Sequence, residues 1–477
     1  MDTKDDKELV AGNEVAIDIV PHPKLTLFQT CNIVVSSVGG AGVFVAMSTM
    51  MHSTGSVGVL LIVILVSGLL NYSLAKCFTE VALLLPKSGG PYFFVLEVFG
   101  ELPAFLFIWG FVFMIIGPAW AYLAYTAALY IVQLFFIGCN PPSIVIKLIG
   151  ACILVFVAVI NCTHMKYVTK VQTVLTSTKL IASVFIVICG VVYAAKGNIE
   201  YYKNIFEGST DNPGDIAISI LSGSFLYGGW QLITFLIEEM ESPARNLPKT
   251  LSISFTIVII LTELTVAAYF TMVSPQEMKT ADAVAILFAE RIYKPFGPLI
   301  AIFVTATAIA GLNAVILAQS RLASAAAKHK HLPMVLATIN EKYNMPWAST
   351  VFLTVISLLL LIFGDLARLI ITVSFYAVVM GLAVLLCLIA LRIKQPNKKR
   401  IFSVWIGTAI IQLLINAITL VMSIIKQPSE IGALALFIVC GIPVYVVLIK
   451  WKSKPKIIDN IMIKISVIMQ KMLLLRY

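Results

Sequence analysis

Two glycine-rich runs inside apolar stretches are the residues best suited to chemistry. One is Ser37-Val38-Gly39-Gly40-Ala41-Gly42-Val43-Phe44 in the first stretch, and the other is Ser222-Gly223-Ser224-Phe225-Leu226-Tyr227-Gly228-Gly229-Trp230 in the sixth. An unwound helix frees N–H and C=O groups that hydrocarbon cannot satisfy, so each break must face protein or a wet cavity. Freed N–H groups at the start of a half-helix suit a carboxylate, and freed carbonyls at the end of one suit an ammonium. An α-amino acid carries both charges a short distance apart, so two adjacent breaks can hold the zwitterion without a charged side chain. Ala41 and Gly42 leave little bulk between ligand and backbone. A single such run reads as small residues for close helix packing. Two runs five apolar stretches apart read as the discontinuous helices of two inverted repeats.

Other candidates are ionisable. Lys179, in Thr178-Lys179-Leu180-Ile181, lies within an apolar stretch. An unpaired ammonium there costs several kcal/mol, so it must face a partner, as a strut or as a conformational switch. Lys76 and Glu80 are four apart and suited to pair on one helix face. Glu238 and Glu239, near Arg245, read either as a gate or as a solvated helix end. Of eight cysteines, Cys139 stands alone in an outer loop, on the oxidising side, and reads as an intermolecular disulfide or an unpaired thiol. The five histidines form no metal-ligand arrangement. No metal, no cofactor and no nucleophile–base set is expected, and hence no enzyme.

The elements that must position these residues follow from composition. The 477 residues are 60% hydrophobic and 12% charged, against about 25% charged in soluble domains. Apolar blocks such as 57–70, 144–160, 180–195, 251–273 and 431–449 hold almost no charge. At roughly 20 residues per crossing they make about twelve transmembrane helices of an all-α membrane protein. The block 102–136 is long enough for one tilted helix. Residues 1–24 are polar and lack the core of a signal peptide.

Basic residues concentrate on one side, with Lys166, Lys170, Arg245, Lys249, Arg321, Lys328, Arg392, Lys394, Lys398 and Arg400. Lys196, Lys203, Lys279, Arg291 and Lys294 fall on the other. By the positive-inside rule both termini are cytosolic. The net charge of +10 therefore implies topology and not nucleic acid. The expected organisation is a cytosolic tail (1–24), a first inverted repeat of five spans (25–195), an outer loop (196–214), a second repeat (215–392), spans 11 and 12 (393–450) and a cytosolic tail (451–477). A short outer helix is expected over 281–292. The triplets Asn71-Tyr72-Ser73 and Asn161-Cys162-Thr163 fall in a span and at an inner end, so no N-glycosylation is expected.

The run Phe225 to Pro248 (FLYGGWQLITFLIEEMESPARNLP) resembles the sixth span and following loop of the L-type amino-acid transporter light chains, catalytic subunits of heteromeric transporters. Gly40-Ala41-Gly42-Val43-Phe44-Val45 resembles their first-span motif. Lys87-Ser88-Gly89-Gly90-Pro91-Tyr92, Ser320-Arg321-Leu322, His331-Leu332-Pro333 and Gly441-Ile442-Pro443-Val444-Tyr445 extend the likeness along nearly the whole chain after Pro23.

The resemblance implies two inverted five-helix repeats with broken first and sixth helices, plus two C-terminal helices. It implies sodium-independent exchange of amino acids at the plasma membrane. It places the substrate carboxylate at Val38, Gly40, Ala41 and Gly42 and the amino group at Phe225, Leu226 and Gly228. Phe225 matches an outer gate, and Trp230, Gln231 and Asn313 match positions near the pocket. Lys179 matches a lysine that takes the place of sodium and tethers the first and eighth spans. Cys139 matches the cysteine that bonds to a single-span glycoprotein heavy chain. Ala41 replaces a hydroxyl residue and Gln231 an Asn of the family pattern, which bears on the substrate spectrum. The uncharged sixth-span break at Gly228 and Gly229 argues against cationic substrates, and neutral L-amino acids are expected. The rival expectations are a proton-coupled symporter of amino acids or polyamines and a transport-inactive scaffold subunit.

Overall fold

A computed structural model describes residues 24–39, 42–136, 141–281, 284–450 and 475–476. Gly40, Ala41 and Cys139 lie outside the described residues, as do both tails apart from Lys24 and 475–476. The chain is helical nearly throughout. Among the described residues nine helices are long and apolar enough to cross a membrane. They are span 2 (Val57–Leu84), span 3 (Glu101–Gln133), span 4 (Ser143–Asn161), span 5 (Met165–Ala195), span 7 (Pro243–Tyr269), span 8 (Phe296–Lys328), span 10 (Leu366–Lys394), span 11 (Ile406–Lys426) and span 12 (Pro428–Tyr445). The shorter span 9 (Trp347–Phe363) and the interrupted spans 1 and 6 bring the total to the expected twelve.

Span 1 comprises Leu27–Ser37 and Gly42–Thr54. It starts at a capping box in which the Thr26 hydroxyl accepts from the Gln29 N–H and the Gln29 side chain accepts from the Thr26 N–H, satisfying two helix-end donors at once. Its first half ends where Val38 turns extended (φ −81°, ψ 135°) and Gly39 takes a positive φ of 59°. Span 6 runs Pro213–Leu226, stops, and resumes as the short helix Leu232–Phe235 and the 3-10 turn Ile237–Glu239. The second half of span 1 (Gly42–Thr54) packs on the first half of span 6, and the first half of span 1 (Leu27–Ser37) on Leu232–Phe235. The two broken helices are therefore antiparallel, with their breaks side by side.

The block 102–136 forms one long helix, as expected, with a π turn at Val112–Ile116. Pro118 follows directly, and its missing N–H and bulky ring prevent a regular α turn there. The short helix expected over 281–292 is observed at Val284–Ile292, after a capped turn at Pro275–Thr280. Asn71 is buried within span 2.

Span 8 is the most enclosed helix. Its small residues, among them Ala301, Ala308, Ala310, Gly311, Ala314 and Ala318, are buried and let spans 1, 3 and 5 approach closely. Exposed Ile, Leu and Val on spans 4, 5, 7 and 11 form the lipid-facing surface. Spans 11 and 12 sit at the periphery.

Candidate functional site

The breaks are joined through their backbones. The Gly39 N–H donates to the Leu226 carbonyl at 3.0 Å, so the freed end of one half-helix faces the freed end of the other. Gly229 carries φ +98°, and a Cβ there would lie 2.8 Å from the Ser37 carbonyl oxygen. Glycine is required at this crossing on both counts. The Gly229 N–H is taken up by Gln231 Oε1 at 3.1 Å, so the Gln that departs from the family pattern caps the break from within.

Span 5 supplies the polar support. Lys179 is buried, and its ammonium donates to the carbonyls of Val35 (2.7 Å) and Val38 (2.6 Å). These are end carbonyls of the inner half-helix of span 1, where the helix dipole favours a cation. The expected tether to span 8 is made by another residue. Two turns earlier on span 5, the Gln172 side-chain amide donates to the Ser36 hydroxyl and to the Ala310 carbonyl (3.3 Å). Asn313 Nδ2 donates to Gln172 Oε1 at 2.6 Å, and Asn161 Nδ2 donates to Asn313 Oδ1 at 2.7 Å. A buried chain of side chains from spans 4, 8, 5 and 1 thus holds the break, and Gln172 is its centre. The sequence reading missed Gln172, although Thr169, Gln172, Thr176 and Lys179 repeat on one face of an otherwise apolar helix.

Between the breaks and spans 2, 3, 8, 10 and 11 lies a cavity of about 220 Å³. Leu226, Gly228, Trp230 and Gln231 line it, together with Ser37, Asn71, Gln319 and Asn416. Trp230 is held edge-on to Phe78 at 4.8 Å between centroids. Gln319 accepts from the Trp120 indole at 2.6 Å. Among the described residues, no Asp, Glu, Lys, Arg or His lines this cavity. Val38 is buried beside it with its carbonyl committed to Lys179. Asn313 is fully buried and does not line it, because both ends of its amide are engaged in the chain just described. Gly42 begins the outer half of span 1, and Phe225 lies one residue before the end of the first half of span 6.

One expected pair is replaced by another. Glu80 does not pair with Lys76. It is fully buried, accepts from Arg392 (2.6 Å) and the Val404 N–H (2.7 Å) and lies in an ion pair with Arg400 (3.3 Å), because two guanidinium groups from the end of span 10 and its loop reach it. The Lys76 ammonium lies instead over the Tyr72 ring, 4.3 Å from its centroid. Glu239 pairs with Arg321 at the end of span 8, and Arg245 is exposed. Reading span 7 as nearly uncharged overlooked Glu263, whose Oε1 has no hydrogen-bond partner among the described residues. Also among the described residues, no group of three His, Cys, Asp or Glu could hold a metal ion.

A helical membrane bundle in which two antiparallel broken helices share an uncharged cavity is the architecture of a secondary transporter. The amino acid permease family matches residues 25–449, and the chain belongs to that family. The chain is 33% identical over 457 residues (95% of this chain, 86% of the relative) to the large neutral amino acids transporter small subunit 2 of Mus musculus. It is 32% identical over 434 residues (91% and 86%) to the cystine/glutamate transporter of Homo sapiens. It is 30% identical over 440 residues (92% and 83%) to the Asc-type amino acid transporter 1 of Mus musculus. The protein is an amino-acid transporter, not an enzyme.

Proposed function

We propose that this chain is a sodium-independent exchanger of neutral L-amino acids, working by alternating access as the light chain of a heterodimer at the plasma membrane. The observation that carries the reading is the pair of bonds from Lys179 to Val35 and Val38. A fixed ammonium occupies the half-helix carbonyls that would otherwise suit a metal cation, which supports transport without sodium. The uncharged lining of the cavity favours neutral side chains. Its volume is below the roughly 300–1,000 Å³ of drug-sized pockets and fits one amino acid.

In this reading the substrate carboxylate meets Val38, Gly40, Ala41 and Gly42, and the ammonium meets Phe225, Leu226 and Gly228. Phe225 closes the cavity from outside. Trp230 and Gln231 shape the side-chain end, and Asn313 acts from behind through Gln172. Residues 25–195 and 215–392 form the two inverted repeats, an arrangement favoured by the antiparallel crossing of spans 1 and 6. The termini face the cytosol. A relative named as a small subunit favours a larger partner, and Cys139 is the cysteine that would bond to it.

The deciding experiment is efflux of radiolabelled leucine from cells expressing this chain with a heavy chain, in sodium-free medium, with and without single external amino acids. Efflux accelerated only by particular neutral amino acids supports exchange and identifies them. Efflux indifferent to all of them rejects it. Glu263, an intramembrane carboxylate with an orphaned oxygen, favours a second reading, proton-coupled symport. Uptake that rises against a gradient as external pH falls would select that alternative.

A further inference from the structure

At the basic end of the bundle, spans 2 and 7 and the start of span 11 enclose a second cavity of about 530 Å³. Gln412, which lines the cavity at the breaks, donates to the Leu70 carbonyl (2.8 Å) and to the Ser73 hydroxyl. Ser73 lines the second cavity, so this amide is the partition between the two spaces. The lining combines one cation, Lys76, with the hydroxyls of Ser73, Ser252, Ser403 and Thr408 and the ring of Trp405.

The charge here is unbalanced. Glu80, one turn along span 2 from Lys76, is occupied by Arg392, Arg400 and the Val404 N–H. Among the described residues no carboxylate lies within ion-pair distance of Lys76. Two guanidinium groups therefore already serve this one anion, and the Lys76 ammonium, over the Tyr72 ring, lines the cavity as a surplus positive charge. Ser73 and Ser252 donate their hydroxyl protons to the Leu70 and Pro248 carbonyls, which leaves the Lys76 ammonium with the Ser403 and Thr408 hydroxyls, a donor set that suits a negatively charged ligand with several acceptor oxygens, which is a phosphate. The surroundings indicate its source. Trp405 is exposed, as a ring at a membrane–water interface is. Leu69 of span 2, Ile253 and Ile257 of span 7 and Ile411 and Leu414 of span 11 present exposed apolar side chains along the same three helices. Those rows suit acyl chains, and basic pockets between helices on this side of a membrane suit anionic headgroups.

We infer that this cavity binds the phosphate of an anionic phospholipid, through Lys76 and the hydroxyls of Ser403 and Thr408, with the acyl chains lying along spans 2, 7 and 11. The site is separate from the transport cavity, and its occupancy does not depend on which amino acids are exchanged.

The test uses the full-length chain, purified in detergent and stripped of lipid. Thermal shift and lipid retention are measured with dioleoyl phosphatidylserine, dioleoyl phosphatidylcholine or inorganic phosphate. The expected result is a concentration-dependent rise in melting temperature with phosphatidylserine alone. Lys76→Gln weakens that binding about tenfold, as loss of one charge-assisted contact of roughly 1.5 kcal/mol implies, and Lys76→Arg restores it. Thr408→Leu keeps every charge and fills the cavity from span 11, and it also lowers phosphatidylserine retention. Equal shifts with both lipids, or unchanged phosphatidylserine binding in Lys76→Gln or in Thr408→Leu, overturn the inference. Stabilisation by inorganic phosphate equal to that by the lipid overturns the lipid assignment.

Discussion

The ammonium of Lys179 lies 2.6 Å from the carbonyl oxygen of Val38, the residue at which the inner half of span 1 ends. Span 5 therefore grips span 1 at its break and not along its length. Charge-assisted hydrogen bonds contribute roughly 1.5–3 kcal/mol each, and Lys179→Met removes two. The expected result is at least a tenfold fall in exchange at an unchanged surface level, read by leucine efflux with surface biotinylation. Exchange at the native rate would show that the grip is a strut without a role in transport.

Gly229→Ala joins two costs, a φ of +98° and a Cβ 2.8 Å from the Ser37 carbonyl oxygen. Gly100→Ala bears only the first, since it has φ +89° and no atom within 4 Å of its built Cβ. Backbone strain alone costs about 1–3 kcal/mol. Gly229→Ala is expected to lower the melting temperature by clearly more than Gly100→Ala and to abolish exchange. Equal shifts would mean that the breaks tolerate being pushed apart.

The chain Asn161–Asn313–Gln172–Ser36 crosses four spans. Truncating one member leaves buried polar groups unpaired, at about 1–3 kcal/mol. Gln172→Ala and Asn313→Ala should each destabilise by that amount, and the double variant by clearly less than their sum. Additive losses in thermal unfolding would show that the two amides act independently.

His331, in the loop after span 8, shares a hydrogen bond with the Tyr92 hydroxyl at 2.9 Å. Burial depresses its pKa below the ordinary 6.5, outweighing the opposite pull of Glu101, and His329 adds to the depression. The unfolded chain thus binds this proton more readily than the folded one. The His331 contribution is complete above pH 6.5 and is lost as pH falls from there towards the lower folded value. The melting temperature of the native chain should fall over that interval, and that of His331→Gln should fall less. Parallel curves would remove His331 from the pH response.

Cys139→Ser should abolish a dithiothreitol-sensitive high-mass species when the chain is expressed with a heavy chain and run on a non-reducing gel. Persistence of that band would assign the link to another cysteine.

The breaks were legible in sequence because glycine is a local signal. Gly39 and Gly229 adopt positive φ in the structure, and the runs around them interrupt long apolar blocks. Lys179 was legible because an ammonium in such a block needs partners, and half-helix carbonyls are the available ones. What the sequence did not disclose is which partner each polar residue takes across the bundle. Lys76 and Glu80 are four apart and suited to pair, yet residues 392 and 400, more than three hundred positions away, capture the carboxylate. Asn313 seemed a pocket residue from its place in the pattern, whereas Gln172 draws its amide away from the cavity. Local spacing cannot encode such choices, because they depend on which helices lie side by side.

The segment after span 6 is stitched to the chain before span 1. Leu25 donates to the Glu239 carbonyl at 2.6 Å, and its own carbonyl accepts from the Glu241 N–H at 3.0 Å. This two-bond strap yokes the inner halves of both broken helices. Moving either half alone would strip both backbone bonds, so the strap makes a single mechanical unit of the two segments that end at the glycine breaks. The ion pair between Glu239 and Arg321 rivets that unit to span 8.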